Sequence, residues 1–449
     1  MAGVQQAAIR FRLEESISDL DEFRDDVAEW AVSARQLGPQ GQYLDQMSLL
    51  AEIAETGIAQ VRHDLLEQTT GATGGELYEQ CRRADHRTAL LRRFWRWYGD
   101  RLDQRHHDDY RPTLAAADEI VHSTWQALFP DAATRPPTPL PHVAPIDTAV
   151  STARYEVPLD LCVPAEPVLA RWTTMMPLST IALPSTVTRR PWWLVVLAHE
   201  CGHQVAAEVG EDDDGSGSPP EVLGAAAARA GAGDAEQREW RNWAMELFAD
   251  ATAAVTKGTA PMWSVMELER GTPDTLLRPD IRYPPPALRW CVADAVVAGI
   301  GLAGVVPAAD RALLAGSPFA GHAARAETIA GALLGIRFGG TTLREIGVRS
   351  RDWERTARRW RDALLGATEP AAGTAPESAR LCVAGGTMAW RRTTAGPGGA
   401  EDRERLRRRL LRVLPQSRPK SVRHVGVRPQ RQAAAVTRQV LDDLRSDAW

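Results

Sequence analysis

Apolar residues recur at three- and four-residue spacing through residues 12–35, 43–69, 76–105 and 112–129 of the 449-residue chain, and glycine or proline interrupts the runs between them. That period matches one face of an α-helix and not the alternation of a strand. In the third run Leu90, Leu91, Phe94, Trp95 and Tyr98 form the stripe that a bundle would bury. Residues 1–130 are therefore expected to be a helical N-terminal domain, with docking of a protein partner on these helices as the competing use. Few β-branched runs interrupt the remainder, so the expected class is mainly α, with a small β element.

Residues 131–148 (PDAATRPPTPLPHVAPID) are proline-rich and read as a linker or an extended crossing segment. Beyond it, Ala153–Val157 and Ile181–Val187 are the best strand candidates, because five prolines between 158 and 184 forbid long helices there. From Pro191 the pattern turns helical and runs to Gly210; a second helix is expected over about 235–257, ending at Gly258. Residues 149–366 form the expected second domain. Residues 367–400 read as a loop-rich excursion, followed by a basic helical C-terminal region to 449.

Inside the first of those two helices stands His199-Glu200-Cys201-Gly202-His203. Positions i and i+4 share a helical face, so both imidazoles can point at one ion, and Glu200 sits beside them where it can reach a water on that ion. A catalytic zinc needs a third protein ligand. The next helix offers Glu246 and Asp250, also four apart, on a face otherwise lined by Trp243, Ala249, Ala253 and Ala254. Two carboxylates on such a face are costly unless something neutralises them. Glu246 is the preferred ligand and Asp250 its competitor; Asp212–Asp214, in an acidic loop, and His322 are weaker candidates. Cys201 points off the metal face and reads as packing.

HECGH followed by ELFAD resembles the gluzincin group of zinc metallopeptidases, over about residues 191–257. The resemblance implies a zincin-like core, Zn2+ as cofactor and a peptide or protein as substrate. It implies His199, His203 and Glu246 as ligands, Glu200 as general base, and Asp250 as hydrogen-bond acceptor for a ligand imidazole. The gap from His203 to Glu246 is longer than in thermolysin. Downstream, Tyr283-Pro284-Pro285-Pro286 is a rigid segment preceding Arg289. Tyr283 first, and Arg289 second, could stabilise an oxyanion; the alternative is that Arg289 pairs a carboxylate.

The formal charge of -5 is small for this length, so nucleic acid is not an expected partner. The imbalance is local: residues 401–449 carry 13 Lys/Arg against 6 Asp/Glu, and leucines are interleaved among the arginines from Arg403 to Arg412, a pattern that serves either as a solvated face or as a surface for acidic partners or nucleic acid. Five scattered cysteines without CxxC spacing read as reduced thiols. The N-terminus lacks a charged-then-apolar signal, and the apolar stretch 295–309 is short and broken by Pro307, so no membrane span and a cytoplasmic location are expected. The main rival to a hydrolase is a helical scaffold carrying a structural zinc.

Overall fold

The computed structural model describes residues 2–35, 43–70, 72, 74–131, 135–153, 156–158, 160–161, 167–176, 178–209, 217–338, 341–347, 351–366, 370–373, 375–393, 399–417 and 428–445. The fold is mainly α. The N-terminal periodicities become α1 (Ala2–Arg35), α2 (Leu44–Thr69), α3 (Gly74–Asp103) and α4 (Arg111–Leu128). Leu90, Leu91, Phe94, Trp95 and Tyr98 are all buried on α3. Phe23 and Trp30 of α1 meet Trp95 edge-on, which removes these rings from any outward docking role.

Next come β1 (Leu140–Ala144), β2 (Val150–Thr152), α5 (Pro167–Met175) and β3 (Thr180–Pro184). The strands form one sheet in the order β1-β3-β2, with β1 parallel to β3 and β2 antiparallel to it. Part of the expected linker is thus a strand: Leu140 is fully buried, and His142 is nearly so. A proline-rich stretch can still give a strand at a sheet edge, where a missing N–H costs little. The strand expected from Ala153 lies earlier, at Val150–Thr152, and the one expected through Val187 stops at Pro184 and passes into a 3-10 turn at Ser185–Thr188.

The motif segment is not helical from its proline. Pro191–Val196 is a 3-10 turn, and α6 runs from Leu197 to Val209. Gly210 and the acidic loop with Asp212–Asp214 lie outside the described residues. Then follow α7 (Pro219–Arg229), α8 (Asp234–Lys257), α9 (Ala260–Glu269), α10 (Pro273–Leu276) and α11 (Pro286–Gly299). Helix α11 ends at Gly299, because Gly301 adopts φ 83° and the N–H groups of Gly301 and Leu302 close onto Ala298 and Val297. The rest comprises α12 (Ala308–Ala315), α13 (Ala320–Ala324), α14 (Ala326–Gly335), the paired strands β4 (Arg337–Phe338) and β5 (Thr341–Thr342), α15 (Leu343–Ile346), α16 (Arg351–Leu365), α17 (Ser378–Thr393), α18 (Gly399–Val413) and α19 (Arg428–Arg445).

Helix α17 occupies ground expected to be loop. Its small residues serve close packing: a Cβ at Gly385 would lie 2.6 Å from Trp360, and one at Gly386 would lie 2.7 Å from Leu410. Tertiary contact outweighs the low helix propensity of glycine here.

The described residues bury two apolar cores, and these cross the linear divisions expected from composition. One joins α1, α2 and α3 to α5 and to Val436, Val440 and Leu444 of α19. The other surrounds α6 and α8 and takes in α4, α11, α14, α17 and α18. Helix α4 therefore belongs with the motif helix, and the C-terminal helix returns to the N-terminal bundle, where Asp443 accepts from Arg171 and Trp172. No helix among the described residues is long and apolar enough to cross a membrane.

Candidate metal centre

Helices α6 and α8 pack against each other in the larger core, and Gly202 lets them approach. A Cβ at position 202 would lie 2.6 Å from the Ala249 Cα and 3.1 Å from its carbonyl oxygen. That contact sets the distance between the HExxH face and the carboxylate face. It carries a sequence signal, a glycine inside a helix, which periodicity analysis passes over because glycine lowers helix propensity without announcing a partner.

The two faces bring His199, His203 and Glu246 together, with ligand-capable atoms all within 4.8 Å of one another. His199 Nε2 lies 3.0 Å from His203 Nε2 and 3.4 Å from Glu246 Oε2, and His203 Nε2 lies 3.5 Å from Glu246 Oε1. Bonds of about 2.0–2.2 Å to a tetrahedral ion would separate ligand atoms by about 3.3–3.6 Å. The donor set and its spacing therefore fit a zinc ion with little rearrangement. Three donors leave one position free, since no fourth ligand joins the group among the described residues.

Asp250 stands behind the ligands. Its Oδ1 lies 2.9 Å from His199 Nδ1, which holds the tautomer that leaves Nε2 facing the cluster. Arg289 engages both oxygens of the same carboxylate, Nε to Oδ2 at 2.6 Å and Nη2 to Oδ1 at 2.9 Å. Asp250 is thereby occupied as an acceptor and is not among the clustered donors. Arg289 Nη1 also donates to Glu269 Oε1 at 2.7 Å, and Trp290 Nε1 donates to Glu269 Oε2 at 2.8 Å. Of the two roles considered for Arg289, the geometry is that of a carboxylate partner: it is 7% exposed and its donors are spent on acids. Glu269, at the end of α9, was not legible as part of this network, because nothing local marks an acid that reaches across to another helix.

The electrostatics follow from this arrangement. Burial disfavours charge on His199, but its hydrogen bonds to Asp250 and Glu246 outweigh that and raise it to about 10. His203, buried beside a positive His199, falls to about 4. Burial pushes the Asp250 carboxyl upward, but Arg289 and His199 together hold it far below the usual range. Glu246 is likewise lowered, its burial being outweighed by His199, His203 and Arg289.

Glu200 is 5% exposed, and its carboxyl is raised, first by burial. Ser151 of β2, a residue that gave no sequence signal, lies close enough to counter part of that rise. Tyr283 lies at the rim, 47% exposed, its phenol raised chiefly by the negative charge of Glu246. Its backbone oxygen accepts from Asp280 N at 2.9 Å, and Trp243 Nε1 donates to Asp280 O at 3.3 Å, so the turn before the triple proline is pinned to α8. Cys201 is fully buried and its thiol is pushed up to about 12, as suits packing. His322 is elsewhere: it contacts Glu239 at 2.9 Å and sits among Trp240, Trp243 and Phe319.

A scan against protein-family models found no match, and neither a search of curated proteins nor one of solved structures found a similar protein.

Proposed function

We propose that the chain is a zinc-dependent peptidase of gluzincin type, with His199, His203 and Glu246 holding the ion and Glu200 acting as general base. The observation that carries this reading is the convergence of three metal-capable donors from two helices beside a buried, protonatable carboxylate. When bound, such an ion supplies Lewis-acid activation of water and of a substrate carbonyl.

The chain's own residues supply the rest. Asp250 and Arg289 lock the orientation of His199. Glu200 takes a proton from the attacking water and returns it to the departing amine, a role favoured by a carboxyl that burial raises. Tyr283, whose hydroxyl has no hydrogen-bond partner among the described residues, donates to the developing oxyanion. A peptide suits the geometry because β2 is an edge strand next to Glu200 and can pair with an extended chain. A structural zinc would call for four protein ligands, whereas three are gathered among the described residues.

The test compares wild type with Glu200→Gln. Both should bind about one zinc, and only wild type should cleave a mixed peptide library. Equal cleavage by the two proteins, or a wild type that takes up no zinc, would overturn the reading.

A further inference from the structure

On a different part of the surface a cleft of about 660 Å³ is lined by none of the metal-centre residues. Three cations border it: Arg189 and Arg190, just before the 3-10 turn that leads into α6, and Arg403 near the start of α18. None of the three has an ion-pair partner among the described residues. Their neighbours differ, since Arg405 is paired with Asp402 and Arg407 with Glu404. Two acids also line the cleft. Glu404 is neutralised by two hydrogen bonds from Arg407, both at 2.8 Å, and Glu267 lies in the field of Arg391. The charge left facing the cleft is positive.

The remaining wall is indole. Trp390 stacks on Trp192 with centroids 6.1 Å apart and planes at 13°, and Trp193 leans on Trp390 at 5.0 Å. Trp193 and Trp390 are half-buried and so keep exposed ring surface. Trp192 is 3% exposed, and its buried Nε1–H has no acceptor among the described residues.

Guanidinium groups match phosphate oxygens, and indole faces stack on planar heterocycles. We propose that this cleft binds a nucleobase carrying phosphate, with Arg189, Arg190 and Arg403 on the phosphates and Trp193 and Trp390 against the base. A free nucleotide and a single-stranded nucleic acid share that chemistry. The volume suits one nucleotide, and a formal charge of -5 opposes a long polyanion, so the free nucleotide is the favoured source.

Calorimetric titration of the full chain decides the matter, with adenosine triphosphate, adenosine, inorganic triphosphate and single-stranded oligodeoxyadenylate as probes. Saturable binding of the nucleotide is expected, about tenfold or more tighter than adenosine or triphosphate alone. The triple change Arg189→Ala, Arg190→Ala and Arg403→Ala should weaken it by about tenfold or more. The charge reversal Arg189→Glu at an exposed site should weaken it even if the triple variant folds poorly. Oligodeoxyadenylate binding more tightly than the nucleotide would assign the same chemistry to a strand. No saturable binding of either probe, binding untouched by the arginine variants, or triphosphate matching the nucleotide would each overturn the proposal. None of the substituted arginines belongs to the metal centre.

Discussion

Arg289 grips Asp250 through two hydrogen bonds, at 2.6 and 2.9 Å, with both side chains almost wholly removed from solvent. The pair sits one contact behind His199, so its effect on a metal is indirect. Removing one partner of a buried pair strands the other charge at a cost of about 3–5 kcal/mol. Arg289→Met should lower the urea midpoint by a corresponding amount. Asp250→Asn should weaken zinc binding by about 10–100-fold in chelator competition, through loss of His199 orientation. Unchanged zinc affinity in Asp250→Asn would show that the hydrogen bond at 2.9 Å does not position the imidazole.

Glu246 supplies the carboxylate at 3.4 and 3.5 Å from the two imidazoles, so Glu246→Ala should lose zinc more completely than Asp250→Ala. In wild type, zinc added to chelator-stripped protein should raise Tm; free ion at a hundred times Kd is worth about 2.7 kcal/mol. The reverse order of zinc loss would exchange the roles of the two acids.

Gly202 has no room for a methyl group, because the nearest atom to an added Cβ is the backbone Ala249 Cα at 2.6 Å. Backbone cannot rotate aside as a side chain can. Gly202→Ala should cost about 1–3 kcal/mol of stability by overpacking and should separate α6 from α8. A variant that melts and binds zinc like wild type would refute the close approach.

Lys257, at the end of α8, is 1% exposed, and its Nζ has no hydrogen-bond partner among the described residues. Burial lowers it from 10.5 to about 7. A lowered base favours folding fully above its unfolded value of 10.5, and the benefit is lost as pH falls toward 7, where the folded protein must also carry the charge. Lys257→Met should therefore stabilise the protein at pH 7, by up to several kcal/mol, and the advantage should shrink steadily toward pH 10. Urea titrations at both ends of that window read the difference. A Met variant less stable than wild type at pH 7 would mean that the ammonium is compensated.

Tyr283 is the remaining candidate for the oxyanion, given that Arg289 is committed to carboxylates. Tyr283→Phe should lower kcat by about 10²–10³-fold with zinc content unchanged. An unaltered kcat would remove the phenol from the chemistry.

Local pattern determined the helical class and the pairing of two histidines on one face, because a 3.6-residue period is a property of the chain alone. It also singled out Glu246 and Asp250 as two acids on an apolar face. Which acid joins the two Nε2 atoms and which backs His199 at Nδ1 depends on the rotation of α8 against α6, where Gly202 meets Ala249. The reach of Glu269 to Arg289, the contact of Ser151 with Glu200 and the return of α19 to the N-terminal bundle likewise join residues far apart in sequence. Such contacts have no short-range signature, since their free energy comes from surfaces that meet only after the helices have docked.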